Sequence, residues 1–138
     1  MGVYSTRMSD SADVVAANAA FYDAFRTGDV AAMDALWARR APVVCIHPGW
    51  PALFGRERVI SSWKAIFDSG APAIRCAAAE AHVIGEVAFV ICTETLPDGQ
   101  LVATNVFARE DGAWRMVHHQ AGPVAAADPD PARDTQLN

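Results

Sequence analysis

The sequence lacks concentrated positive charge. Arg39-Arg40 is its only basic pair and the net charge is −5, so nucleic acid is not an expected partner, since phosphate binding needs a clustered basic surface. Long hydrophobic runs are also missing. None approaches the roughly 20 residues that span a bilayer, so no membrane association is expected. The first residues, MGVYSTRMSDSADVV, carry no apolar stretch of the secretory kind, and Met8 is an alternative start. Cysteine is sparse and odd in number: Cys45, Cys76 and Cys92 are dispersed, each inside a strand-like apolar run. They read as reduced core thiols in a cytoplasmic protein rather than as a disulfide or zinc framework. No internal repeat is visible.

What remains is ordinary globular composition. With 138 residues, 52% of them hydrophobic, the chain is long enough to bury one core without staples. Residues 10–27 have helical spacing, with Asp10 or Ser11 as cap and Val14, Ala17, Phe21, Ala24 and Phe25 on one face. Gly28 stops that helix, and Asp29 caps a short second one carrying Val30, Met33, Leu36 and Trp37. Residues 43–47 form a β-branched run, broken by the Pro48-Gly49-Trp50-Pro51 loop. A third helix, about 56–68, presents Val59, Ile60, Trp63, Ile66 and Phe67 inward.

From Ile74 the period becomes two. Strands are expected near 74–84, 87–96, 101–110 and 113–120, with turns at Gly85-Glu86, Asp98-Gly99 and Asp111-Gly112. The expected organisation is a flexible extension over 1–9, one domain over 10–122 and a loose tail over 123–138.

If all three turns are two-residue hairpins, opposed residues share a face. The inner face then collects Ala88, Val90, Cys92 and Glu94; Ala103, Asn105, Phe107 and Arg109; and Trp114, Met116, His118 and Gln120. Asn105 would lie opposite both Cys92 and His118. The other face collects Val, Ile and Thr, with His119 and Arg115 at an interface or on the surface. Large apolar residues beside Glu94, Asn105, His118 and Gln120 are what a pocket lining requires.

The element order, the Ile46-His47-Pro48-Gly49-Trp50 loop, Gly55-Arg56 with Ser62-Trp63, the Thr104-Asn105-Val106-Phe107 strand and the Trp114-x-x-Val117-His118 ending together resemble the nuclear-transport-factor-2-like superfamily. The chain looks most similar to its SnoaL-like and ketosteroid-isomerase-like bacterial members over residues 10–122. That resemblance implies an α+β cone: a curved antiparallel sheet wrapped around three N-terminal helices, an internal pocket, and frequent dimerisation through the sheet's outer face. Many relatives end this strand with His-x-His; here Gln120 takes the second place. The Tyr-plus-Asp pattern of the ketosteroid isomerases has no residue-by-residue match.

His118 and Glu94 are the candidate catalytic groups, each able to move a proton if the pocket is dry. His47, Trp50, Cys92, Asn105, Phe107 and Gln120 are the candidate ligand contacts, with Asn105 and Gln120 holding a carbonyl or hydroxyl oxygen. The structural alternatives are a hydrogen-bonded buried His118, a Glu94 paired with Arg75 or another cation, and a Trp50 that plugs the core. His47, His118 and Glu94 have the donor types of a zinc or iron site, but nothing brings them within coordination distance. No metal or cofactor is expected, and His82 reads as solvated. The expected function is cofactor-free proton transfer on a small organic substrate, by an isomerase, cyclase, dehydratase or hydrolase. The alternative is a non-catalytic dimeric ligand-binding or interaction domain. A homodimer through the outer sheet face is expected, because three helices leave that face uncovered.

Overall fold

The computed structural model describes residues 3–125, with side chains from residue 10 onward. Three helices precede most of the sheet: α1 (Val3–Thr27), α2 (Val30–Leu36) and α3 (Arg56–Asp68). The strands are β1 (Val44–Ile46), β2 (Leu53–Phe54), β3 (Arg75–Ile84), β4 (Val87–Leu96), β5 (Gly99–Glu110) and β6 (Ala113–Pro123). They form one sheet in the order β2-β1-β6-β5-β4-β3, antiparallel except where β1 runs parallel to β6. The fold is the expected α+β arrangement with a six-stranded sheet.

Several boundaries differ from the sequence expectation. Helix α1 begins at Val3, ahead of the Asp10 or Ser11 cap, so residues 3–9 continue that helix. The expected loop after residue 47 is followed by a short strand, β2, pairing Val44 with Phe54. Strand β6 reaches Pro123, and the tail beyond residue 125 lies outside the described residues. Asp29 caps α2 as expected, its carboxylate accepting from the Ala32 N–H at 3.0 Å. The preceding Gly28 has φ +66°, the left-handed geometry that lets the chain reverse between helices.

Helix α1 crosses the inner face of the sheet and turns Val14, Phe21 and Phe25 into the core. Phe21 and Phe25 both meet the fully buried Trp63 of α3 edge-on, with centroids 5.5 and 4.7 Å apart. This aromatic wedge holds the helices against β6.

The strand pairing contains two departures with opposite consequences. Leu96 pairs with Gly99, so the β4–β5 turn is Pro97-Asp98 rather than Asp98-Gly99. Moving a turn by one residue moves the pairing by two, and both faces survive. Asn105 therefore lies opposite Val90 instead of Cys92. The β5–β6 turn is where expected, but Phe107 pairs with Met116 while Val106 pairs with His118, leaving Val117 as an extra residue. That β-bulge inverts the alternation for the rest of the strand. Trp114 and Met116 are buried as expected; then His119 and Ala121 are buried, His118 is only half-buried and Gln120 is exposed.

The inward placement of His118 and Gln120, and the outward placement of His119, are thus corrected. The bulge falls where β6 changes neighbours: Met116 meets Trp37 and Ala38, whereas residues from His118 onward pair with β1.

Candidate functional site

Five polar side chains meet between α1 and the inner sheet face, and α1 supplies two of them. Asn18 and Tyr22 are one helical turn apart and share the buried face with Val14, Phe21 and Phe25. Strands β4, β5 and β6 supply Glu94, Asn105 and His119, which are at most 1% exposed. Asn105 Nδ2 donates to Asn18 Oδ1 at 2.8 Å and to the Tyr22 hydroxyl at 3.2 Å. The Tyr22 O–H donates in turn to Glu94 Oε2 at 2.6 Å.

This chain of donors determines the histidine tautomer. Asn105 Oδ1 lies 2.6 Å from His119 Nδ1, and an amide oxygen only accepts, so His119 Nδ1 carries the hydrogen. In the neutral imidazole the free lone pair is then on Nε2, which lies 3.9 Å from Glu94 Oε2.

Burial drives the two groups in opposite directions. It pushes the Glu94 carboxyl above its ordinary range, against a smaller downward pull from the Tyr22 hydrogen bond. Burial lowers His119 to about 3, with help from the neighbouring His47 and His118 charges. Both effects disfavour the charged form in a dry site. The structural alternative for Glu94, pairing with Arg75 or another cation, is not found: among the described residues no Lys or Arg pairs with Glu94, and its ion-pair contact is with His119. Tyr22 is itself raised, by burial first and then by Glu94 and Cys92.

A cavity of about 270 Å³ opens onto this pair. Phe25, His47, Pro48, Trp50, Ile66, Pro72, Ile74, Glu94, Leu96, Leu101 and His119 line it. Its titratable side chains, among the described residues, are Glu94 and two histidines. His47 follows β1 and is buried at 3% exposure. Ser62 Oγ donates to Val59 O at 2.6 Å, so His47 Nε2, 2.8 Å from the same oxygen, must be the donor in that contact. Burial lowers His47 to about 4. Trp50 packs edge-on against His47 at 4.8 Å and is 43% exposed, so it stands at the rim rather than plugging the core.

The predicted site residues therefore divide. Glu94, His47 and Trp50 line the cavity. Asn105, Cys92 and Phe107 lie behind its wall, fully or nearly fully buried, and Asn105 acts through His119. His118 belongs to the outer face and Gln120 to the solvent. Tyr22, Asn18 and His119 are the partners that sequence reasoning missed. The signal for the first two was present, as two polar residues at i, i+4 spacing inside an otherwise apolar helix face. His82, expected to be solvated, is exposed and stacks on Phe89 at 4.8 Å. No group of three metal-ligating side chains is found among the described residues, and no described helix is long and apolar enough to cross a membrane.

The family model described as SnoaL-like domain matches residues 14–126. The chain belongs to the SnoaL-like family. Its fold is that of nuclear-transport-factor-2-like proteins, also called cystatin-like. A relative of solved structure, from Streptomyces avermitilis, is provisionally named a dehydratase of the NTF2-like family. It is 34% identical, with a TM-score of 0.79, over 87% of this chain and 99% of that one. A second, from Thiobacillus denitrificans, is provisionally named a calcium/calmodulin-dependent protein kinase type II association domain. It is 35% identical, with a TM-score of 0.72, over 80% of this chain and 94% of that one. The F-box protein SKIP8 of Arabidopsis thaliana is 28% identical over 119 residues, which are 83% of this chain and 51% of that protein. The chain spans about half the length of that curated relative.

Proposed function

We propose that the cavity is the active site of a proton-transfer enzyme acting on a small, neutral, largely apolar compound with a carbonyl or hydroxyl oxygen. One observation carries the reading: an unprotonated His119 Nε2 and a Glu94 carboxyl face each other at 3.9 Å on one cavity wall. Environments that push two titratable groups apart assign the base and the acid. His119 is the base. Glu94, whose Oε2 is occupied by Tyr22, keeps its proton on Oε1 and is the acid.

A base held as low as His119 accepts a proton only if its surroundings change in step. Loss of the Glu94 proton to substrate oxygen creates a carboxylate 3.9 Å from the imidazole, and that new charge favours the imidazolium. Proton removal from carbon and proton delivery to oxygen are therefore coupled. Dehydration of a β-hydroxy carbonyl uses both transfers, as does enolisation in an isomerase. The name of the S. avermitilis relative favours dehydration. Among the described residues no Lys or Arg lines the cavity, so a phosphorylated or carboxylated substrate would bury its charge uncompensated. That favours neutral substrates.

The test is deuterium incorporation α to the carbonyl of small alicyclic and aryl ketones in D2O, because enolisation and dehydration share that abstraction. The chain should catalyse exchange, and His119→Ala should slow it by about 10²–10⁴-fold, the usual worth of a positioned acid or base. Ketones that bind, shown by ligand-line broadening, yet never exchange would favour the second reading.

That second reading is a non-catalytic ligand-binding or interaction domain. The outer sheet face favours it: Ile91 and Val102 are 37% and 44% exposed there, beside Thr93, Thr104 and Val106. Exposed apolar sheet surface of this kind suits a homodimer. The association-domain name of the T. denitrificans relative is in keeping with assembly through such a face.

A further inference from the structure

The two sides of the cavity differ in chemistry. Its titratable side chains all come from the sheet side. Glu94 on β4 and His119 on β6 are buried on the face that α1 covers. Strand β1 runs beside β6 with Cys45 paired to His119, and His47, two residues after the buried Cys45, projects to the same side. Away from the strands the lining is Phe25 of α1, Ile66 of α3 and the loop residues Pro48, Trp50 and Pro72, none of which ionises. Among the described residues, a substrate in the cavity therefore meets acid and base on one side only.

The reacting pair is also close. His119 Nε2 and Glu94 Oε2 are 3.9 Å apart, and the donating Oε1 is bonded to the same carbon as Oε2. Groups that act on opposite faces of a substrate stand further apart, because the substrate lies between them; an acid and a base across a sugar ring are about 6.5–9.5 Å apart. A separation of 3.9 Å leaves no room for a carbon skeleton between the two. Neither group swings free to another side. Asn105 holds the His119 ring through Nδ1 at 2.6 Å, and Tyr22 holds the Glu94 carboxyl at 2.6 Å.

We propose that the site takes β-hydroxy ketones whose α-hydrogen and hydroxyl lie on the same face, and removes water from them by syn elimination. This rests on the proton-transfer reading of the cavity. His119 Nε2 takes the α-hydrogen as a proton, and the carbon–hydrogen electron pair becomes the new carbon–carbon double bond. The bond from the β-carbon to oxygen breaks with its pair on oxygen, which takes the Glu94 Oε1 proton and leaves as water. The imidazolium then returns its proton to the carboxylate beside it. Hydroxy ketone becomes enone plus water, and the pair regains its starting state with no proton drawn from solvent. An α-hydrogen on the face opposite the hydroxyl points to the apolar helical side, where the lining holds no base. Of two diastereomers with a single α-hydrogen, the site therefore selects the one with that hydrogen syn to the hydroxyl.

The experiment gives the unmodified chain 3-hydroxycyclohexanone carrying one deuterium at C2, either cis or trans to the hydroxyl, in ordinary water. Mass spectrometry reads the cyclohexenone formed, after correction for the reaction without protein. The cis-labelled ketone should give enone that has lost its deuterium, and the trans-labelled ketone should give enone that keeps it. A second arm runs the unlabelled ketone in D2O and stops before completion. NMR of the remaining ketone should find deuterium entering C2 only at the position cis to the hydroxyl. His119→Ala should slow both arms by about 10²–10⁴-fold. Retention of the cis label, loss of the trans label, or equal use of the two positions would overturn the proposal while leaving proton transfer at this site intact. Exchange of simple ketones with no enone from either isomer would likewise overturn it alone. Neither enone nor exchange with any ketone would remove the proton-transfer reading and this proposal with it.

Discussion

Glu94 and Glu110 are both buried carboxylates, 1% and 8% exposed, yet the protein treats them in opposite ways. Glu94 sits against an apolar cavity with one hydroxyl donor, and burial raises it. Glu110 sits at the end of β5 and accepts three backbone N–H bonds, from Arg39, Arg40 and Ala41, at 2.8–3.1 Å. Those bonds, the Arg39 and Arg40 amides first, hold it at about 2. Burial alone therefore does not set protonation; the supply of donors does. Glu110 ties the segment after α2 to the sheet, while Glu94 is left under-solvated on the cavity wall. One carboxylate is held charged by backbone donors, and the other is pushed by burial towards its protonated form.

Replacing Glu94 tests this contrast most severely. Glu94→Gln keeps the shape and the acceptor for Tyr22 but cannot titrate. Ketone exchange should drop by about 10²–10⁴-fold. Stability should move the other way. The unfolded Glu94 ionises near its ordinary 4.5, whereas the native group holds its proton to higher pH. In that interval the native state binds more protons, so wild-type stability falls as pH rises. The variant should lack that fall and be more stable than wild type at neutral pH, as urea midpoints across pH 4–8 would reveal. His47 and His119 act in the opposite sense. Below about 6.5 the unfolded chain takes up protons that the native imidazoles refuse until about 4 and about 3, so their contribution is lost as pH falls. A variant less stable than wild type throughout would show that Glu94 is chiefly a structural anchor.

The network around His119 comes next. Asn105→Leu preserves volume but strands the His119 Nδ1–H and Asn18 Oδ1 in the core. Each orphaned buried group costs about 1–3 kcal/mol, which should appear as a lower urea midpoint with an unchanged slope. Exchange should also fall, though less than on loss of His119 itself, because the imidazole would remain but lose its enforced tautomer. Undiminished stability would mean that water or a rotated Asn18 replaces Asn105.

Much of this contrast was legible in the chain, and the part that was not has a definite cause. Strand periodicity placed Glu94 and Asn105 inward, and the β4–β5 turn tolerated a one-residue misplacement because pairing shifts come in twos. The β5–β6 hairpin did not tolerate its bulge at Val117. That bulge answers to the neighbours of β6, Trp37-Ala38 on one stretch and β1 on the next, and no hairpin rule contains them. So the sequence pattern pointed to His118 where the fold buries His119 beside Glu94. Tyr22 and Asn18 were missed for another reason: apolar periodicity alone hid two polar residues on the same helix face.

Glu110→Gln should have a smaller, purely structural effect. The folded Glu110 is depressed, so its contribution is present above the ordinary 4.5 and disappears as pH falls to about 2. The variant should be less stable than wild type at pH 7, and the gap should close by pH 2–3. Ketone exchange should not change, since Glu110 lies outside the cavity lining. A gap that persists undiminished at low pH would mean that packing, rather than the charged acceptor, is what Glu110 supplies.

The smallest effect belongs to His118. It pairs with Val44 on one side and Val106 on the other, half-buried on the sheet face away from Glu94 and His119. Substitutions away from cores, caps and networks shift stability by about 0.5 kcal/mol or less, and His118→Ala should fall in that range. Its exchange rate should match wild type, against the large loss from His119→Ala one residue later. Any change should appear instead in assembly, because His118 lies in the face proposed to pair with a second copy. Light scattering at tens of micromolar, roughly the range in which ordinary dimers persist, should find a dimer for wild type and the same or a weaker one for His118→Ala. A wild-type monomer there would remove the dimer from the proposal but leave the chemistry standing. An exchange defect in His118→Ala with an intact dimer would do more damage, because it would put proton transfer on the wrong side of the bulge.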